Sequence, residues 1–177
     1  MFNIQNSPMY DQDAVQPMRD ELVYVGFKEL KNVEDVDAEL KNENGETALA
    51  FINSVCGCAA GSARPAVALA LQHSTIPDKL ITAFAGQEKE AVQYLRENYL
   101  DDFQPSSPFI ALMKNGRPIY AIPRFKIEGR YAEDIAEELT AVFEKFCENQ
   151  GPSISKENYE KLVHAKSCGS KIPLNKE

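Results

Sequence analysis

The residues best suited to chemistry are two thiols one residue apart, Cys56-Gly57-Cys58. They follow the apolar run Ala48-Leu49-Ala50-Phe51-Ile52 and precede an Ala-rich stretch of helical character, Ala59 to His73. A near-continuous apolar run with turn residues before it predicts a strand buried on both faces. Thiols at the end of such a strand, opening a helix, lie at the sheet edge where α/β proteins carry their sites. Helix N-terminal amides lower a thiol's pKa there, and the thiolate is the reactive form. Glycine between the cysteines gives the backbone freedom to close a small ring, expected to be strained and readily reduced. A single buried cysteine ordinarily just packs. Two of them around a glycine at a strand-to-helix turn point to thiol–disulfide exchange.

The same pair has a second chemistry. Thiolates one residue apart suit Cu(I) or Zn(II), so a soft-metal-binding protein or metallochaperone is the alternative. Against it, structural zinc takes about four ligands, and Cys147, Cys168, His73 and His164 each stand alone. No metal is expected.

Composition narrows the classes. In 177 residues, 19 Lys and Arg face 27 Asp and Glu, a net charge of −8. That balance argues against nucleic acid, whose phosphates draw on clustered Lys and Arg. A chain of this length buries roughly two-thirds of its unfolded surface and needs no disulfide staples. Four cysteines are too few for a disulfide framework. No apolar stretch approaches the roughly 20 residues that span a bilayer, and Met1 to Asn6 lacks the basic flank and apolar core of a secretory signal. The expectation is a cytoplasmic protein without nucleic-acid or membrane partners, in a compartment where disulfides are transient.

Around the thiols the pattern alternates. Residues 1–13 are polar and aperiodic, a flexible lead-in. Val15, Met18, Leu22 and Val25 predict a helix from Ala14, with Pro17 in its first turn and Gly26 ending it. Phe27 to Leu30 reads as a short strand, and Asn32 caps a helix carrying Val33, Val36 and Leu40. After the strand Thr47 to Val55 and the Ala-rich helix, in which Pro65 marks a kink or the true first turn, come a strand Lys79 to Ala85 and a helix Gln87 to Asn98. Phe109 to Met113 and Pro118 to Ile122 flank the hairpin signal Lys114-Asn115-Gly116. Tyr131 to Phe146 is an amphipathic helix. Residues 150–177 read as an appended polar tail with a short helix near Lys156 to His164. The fold class is α/β: a mixed, mostly parallel central sheet, helices on both faces and a terminal β-hairpin.

Asn53-Ser54-Val55-Cys56-Gly57-Cys58-Ala59-Ala60-Gly61-Ser62-Ala63-Arg64-Pro65-Ala66 resembles the signature of the bacilliredoxins, small thioredoxin-like proteins with a Cys-Gly-Cys centre. The likeness also runs through Val15 to Leu22, Gly26-Phe27-Lys28-Glu29-Leu30, Thr82 to Ala91, Pro105-Ser106-Ser107-Pro108 and Ile122-Pro123-Arg124 up to Gly129. It spans about residues 14–149. The resemblance implies a thioredoxin-like fold over that range and a thiol–disulfide oxidoreductase, with weak disulfide isomerase action as a variant. Its co-substrate is bacillithiol, a low-molecular-weight thiol, and its partners are S-thiolated cytoplasmic proteins.

Carried onto this chain, the resemblance makes Cys56 the attacking thiol and Cys58 or free thiol the resolver, with external thiol favoured because a Cys56–Cys58 ring is tight. Pro108 would open its strand with a cis peptide facing the cysteines, Ser107 would offer backbone contact to the incoming group, and Gly57 would lie against it. Arg64 could pair with bacillithiol carboxylates, or equally be a solvated helix residue or contact a neighbouring carboxylate; Arg124 has the same alternatives. Three departures stand out: there is no Trp before Cys56, the cysteines are one residue apart rather than two, and Phe125 stands where a histidine is expected. Cys147 and Cys168 lie near or beyond the end of the resemblance, Cys147 either a remote resolver or a bystander. His73 and His164 read as structural or solvated. A third function class, an interaction module working through the tail, is open.

Overall fold

The computed structural model describes residues 6–169 and 172. In chain order its elements are α1 (Gln12–Tyr24), β1 (Lys28–Glu29), α2 (Val33–Leu40), β2 (Thr47–Asn53), α3 (Arg64–Ala70), β3 (Thr75–Ile76), β4 (Lys79–Phe84), α4 (Lys89–Asn98), β5 (Phe109–Lys114), β6 (Arg117–Ile122), α5 (Ala132–Phe146), β7 (Asn149–Gln150) and α6 (Lys156–Cys168). Five strands form one sheet in the order β1-β4-β2-β5-β6. β4 pairs parallel with both β1 and β2, whereas β5 runs antiparallel to β2 and to β6. The sheet is therefore mixed, with β5 alone reversed. β5 turns into β6 at Asn115-Gly116, both at positive φ (50° and 69°), the geometry a two-residue turn needs to match strand twist.

β2 is central, and all seven of its residues are buried, which is why it reads as one apolar run. Its alternation divides the core. Leu49 and Phe51 pack with residues of α1, α3 and α5; Ala48, Ala50 and Ile52 pack with α2 and α4. Phe51 meets Phe27 edge-on at 6.2 Å between ring centroids. Helices thus cover both faces, as expected.

Local chemistry sets the helix starts. Asp11 accepts from the Ala14 N–H at 3.0 Å and starts α1 at Gln12, two residues before the expected position. Pro17 consequently sits in the second turn rather than the first. Asn32 caps α2 through the Asp35 N–H at 2.8 Å, as its side chain predicts. The helical segment after the cysteines is not uniform. Residues Ala59–Ala63 make a π-turn, closed by the Arg64 N–H on the Ala59 carbonyl, before α3 continues. Pro65 lacks an N–H and crowds the carbonyl four residues back, so the irregular turn falls just ahead of it. The extra residue rotates the following side chains, and Arg64 points inward, 2% exposed.

The segment after Cys147 departs from the appended tail expected from composition. β7 pairs with β3, the Gly151 and Ser153 N–H groups donate to the Ser74 and Leu71 carbonyls, and Gln72 Nε2 donates to the Ile154 carbonyl. α6 buries Leu162 and Ala165, three residues apart on one face, and Leu162 joins the core under α3 and α5. A few well-spaced apolar residues suffice to dock a largely polar helix. Of the lead-in, residues 1–5 lie outside the described residues. Further on, the Met9 N–H donates to the Gly86 carbonyl and Gln87 brackets the Tyr10 backbone.

Candidate functional site

Cys56 and Cys58 stand directly past the C-terminal end of β2, at the start of the helical segment. Both are half-buried thiols with Sγ atoms 2.7 Å apart. The turn is held by the Ala59 and Ala60 N–H groups on the Cys56 carbonyl, at 3.1 and 3.2 Å. Ser54 Oγ donates to Cys56 Sγ at 3.2 Å. Gly57 is exposed, its φ lies outside the left-handed range, and a Cβ there would meet nothing within 4 Å. In this state the backbone does not demand glycine. What the missing side chain does is leave the approach to the two sulfurs uncovered.

The two thiols are electrostatically unequal. Burial opposes ionisation of Cys56, but hydrogen bonds from Cys58 and Ser54, the Ala59 amide and the positive charge of Arg124 outweigh it, and its pKa lies below that of an ordinary thiol. Cys58 is pushed up by burial, by donating to Cys56 and by the negative charge that Cys56 then carries; Glu128 adds to the rise and Arg124 opposes it. A low-pKa thiolate beside a thiol that keeps its proton is the arrangement of a nucleophile with a built-in hydrogen-bond donor.

Arg124 comes from the 3-10 turn Arg124–Lys126 that follows β6. Exposed itself, it donates from Nε to Glu128 at 2.6 Å and from a terminal nitrogen to the Ser107 carbonyl at 3.4 Å. Its backbone N–H reaches Ser106 Oγ at 3.3 Å. Phe125, in the position where a histidine is expected, is 74% exposed and brings no titratable group.

The sheet register places the second candidate segment. Ile52 of β2 pairs with Phe109 of β5, so Pro108 falls beside Asn53, three residues before Cys56. The Ser107–Pro108 peptide is cis, as expected; Pro108 is buried and Ser107 half-buried. Arg96 of α4 donates to the Ser106 carbonyl at 3.1 Å and supports this loop from the other face.

The substrate-facing role of Arg64 is corrected, and the alternative, contact with a neighbouring carboxylate, is what the structure shows. Arg64 does not face the surface where bacillithiol carboxylates would arrive. Its guanidinium donates to Glu21 at 2.9 Å and to both Asn53 Oδ1 and the Ser54 carbonyl at 3.0 Å. The π-turn aims it behind the cysteine loop, so it braces the residues before Cys56. Ser54, Asn53 and Glu21 were not among the expected site residues. Ser54, two positions before Cys56, had a local signal in its hydroxyl; Glu21, 43 positions from Arg64, had none.

The remaining thiols lie elsewhere. Cys147 is buried near Thr47, at the opposite end of β2. Six steps of strand at about 3.3 Å put the two ends roughly 20 Å apart, which removes it as a resolver of Cys56. Burial pushes its thiol up, against a hydrogen bond from Thr47. Cys168 is exposed on the last turn of α6. His73 pairs with Glu144 at 2.9 Å and forms no ligand set. Among the described residues, no group of three or more His, Cys, Asp or Glu side chains is placed to hold a metal ion, and no helix is long and apolar enough to cross a membrane.

Brief alkylation at neutral pH, resolved by peptide mass, should therefore modify Cys56 first and Cys147 only after unfolding. The Cys56 rate should climb with pH and reach its half-maximum below that of an ordinary thiol. A Cys147 that reacts in the native protein as fast as Cys56 would contradict the geometry.

Comparison with known proteins places the chain among redox proteins. A family model described as disulphide isomerase matches residues 10–147. The chain is 48% identical over 143 residues to a bacilliredoxin of Salinibacter ruber, covering 81% of this chain and 83% of that one. It is 49% identical over 139 residues to a bacilliredoxin of Geobacillus kaustophilus, covering 78% and 94%. With a bacilliredoxin of Staphylococcus epidermidis it shares 44% over 145 residues, 82% and 98% of the two chains. These matches support a redox-related function, and the region of the family model includes both cysteines and the Ser107–Pro108 loop. The chain belongs to the bacilliredoxin family.

Proposed function

We propose that the protein is a thiol–disulfide oxidoreductase that removes bacillithiol from mixed disulfides on cytoplasmic proteins. The observation that carries this reading is the inequality of the pair: Cys56 accepts from Ser54 and sits by Arg124, while Cys58 keeps its proton. In the first step the Cys56 thiolate attacks the bacillithiol sulfur of the mixed disulfide. A new S–S bond forms to Cys56, the old one breaks, and the client leaves as a thiolate that takes a proton from solvent. In the second step a bacillithiol thiolate attacks the adduct, giving bacillithiol disulfide and restoring Cys56. Attack by Cys58 instead releases bacillithiol and leaves a Cys56–Cys58 disulfide for a later reductant.

The fold reading belongs to the same proposal. A cysteine pair after the central strand, with a proline opening the antiparallel neighbour beside it, supports a thioredoxin-like arrangement. Ser107 and Gly57 border the open approach to the sulfurs. Arg124, rather than Arg64, is the exposed cation available to a carboxylate of the incoming thiol.

Turnover tests the proposal. With an S-bacillithiolated protein as substrate, the enzyme should return the client's free thiol, and added bacillithiol should make the return catalytic. A client thiol released no faster than with bacillithiol alone contradicts it. Stoichiometric Cu(I) or Zn(II) on protein purified under reducing conditions, lost in Cys58→Ser, would favour metal binding instead.

A further inference from the structure

The segment beyond residue 147 lies outside the matched family region, yet a continuous chain of polar contacts joins it to the cysteine loop. Lys166 Nζ of α6 meets Glu21 Oε2 of α1 at 3.0 Å. The same carboxylate oxygen accepts from Arg64 Nε at 2.9 Å. Arg64 then donates to the Ser54 carbonyl and to Asn53 Oδ1, both at 3.0 Å. Asn53 Oδ1 also accepts from the Ser54 N–H at 2.9 Å, and Asn53 Nδ2 donates to the Met18 carbonyl at 3.1 Å. Ser54 is thereby gripped at both its N–H and its carbonyl. Its hydroxyl is the one that donates to Cys56 Sγ.

We propose that α6 is a positioning element for the nucleophile, with Lys166, Glu21 and Arg64 acting through Ser54 to hold its hydroxyl on Cys56. The physical basis is placement of a donor. A hydroxyl on a thiolate favours the ionised form only when its direction is fixed, and a buried guanidinium with three oxygen partners is a rigid anchor. Burial strengthens the inner links, where Arg64 is 2% and Glu21 15% exposed, while Lys166, 31% exposed, closes the chain at the surface. The charged and titratable groups facing Cys56 are Cys58 from its own turn and Arg124 from the turn after β6, with Glu128 acting on Cys58. Arg64 and Glu21 face it only through Ser54. The proposal makes the C-terminal segment part of the working site, and its role as nucleophile support rests on Cys56 being the attacking thiol.

For Glu21 the test separates positioning from long-range charge by its sign; for Lys166, whose loss raises the midpoint on either account, the Ser54→Ala background separates the two. Removing the negative charge of Glu21 should, through lost Coulomb repulsion alone, favour the Cys56 thiolate and lower its pKa. Loss of positioning does the opposite. We expect Glu21→Ala and Lys166→Ala, in the full chain, each to raise the midpoint of the Cys56 alkylation profile by about half a pH unit. Lys166→Arg should restore it. In a Ser54→Ala background, whose own midpoint is raised, the same two substitutions should add nothing, because the coupled step is already lost. A downward shift in Glu21→Ala overturns the proposal, as does an unchanged midpoint in Lys166→Ala or shifts of equal size in the Ser54→Ala background. Alkylation uses iodoacetamide and no bacillithiol, so failure of the proposed turnover and failure of this relay are read separately.

Discussion

Cys56→Ser should cut the release of client thiol from a bacillithiolated protein by at least about a thousandfold, as expected when a covalent nucleophile is lost. The change is nearly isosteric and leaves the turn intact, since the Ala59 and Ala60 N–H groups bond the Cys56 carbonyl. Stability should barely move, which separates chemistry from folding. A serine hydroxyl is a far weaker nucleophile than a thiolate at neutral pH, and neither Arg124 nor Ser54 supplies a base to ionise it. Cys58→Ser should behave differently. The hydroxyl can still donate to Cys56, so the first step survives and the adduct accumulates until external thiol removes it. Equal losses in the two variants would contradict the assignment of the attacking sulfur.

Gly151→Ala should destabilise the protein by about 3 kcal/mol, the upper end of the usual cost of overpacking. A Cβ at this position falls 2.0 Å from the His73 carbonyl oxygen and 2.9 Å from Ile76 Cγ2. The oxygen belongs to the backbone and has no rotamer to move to, so the strand pair β3–β7 must separate. The Gly151 N–H would lose the Ser74 carbonyl and Ser153 that of Leu71. Denaturant unfolding should show a lower midpoint, with loss of amide-exchange protection at Thr75–Ile76 and Asn149–Gln150. Because α6 enters through this seam, the Cys56 alkylation midpoint should rise as well. Unchanged stability would mean that the segment after Cys147 is not stitched to the domain.

Much of this was legible in the sequence where a signal is local. β2 announced itself because both of its faces are buried, and the apolar run therefore has no polar interruptions. The thiol pair at its end, the Asn32 cap and the Asn115-Gly116 turn are each specified by neighbouring residues. Contacts between distant residues were not legible. The sequence left Arg64 between a substrate carboxylate, solvent and a neighbouring carboxylate, because a lone arginine after the cysteines carries no mark of its partners and Glu21 lies 43 positions earlier. The π-turn that redirects Arg64 depends on how Pro65 is accommodated, which a helical period does not encode. β3 and β7 are two residues each, too short for alternation to show. The C-terminal helix was placed, but its docking hangs on Leu162 and Ala165 within a mostly polar sequence, and composition averages such residues away.

Intact and peptide mass analysis of the Cys58→Ser protein after incubation with a bacillithiolated client, without free thiol, tests the central claim most directly. The account predicts one added bacillithiol per chain, carried on Cys56, with an equal amount of client thiol released. An unmodified Cys56, or an adduct carried on Cys147 or Cys168, would contradict it.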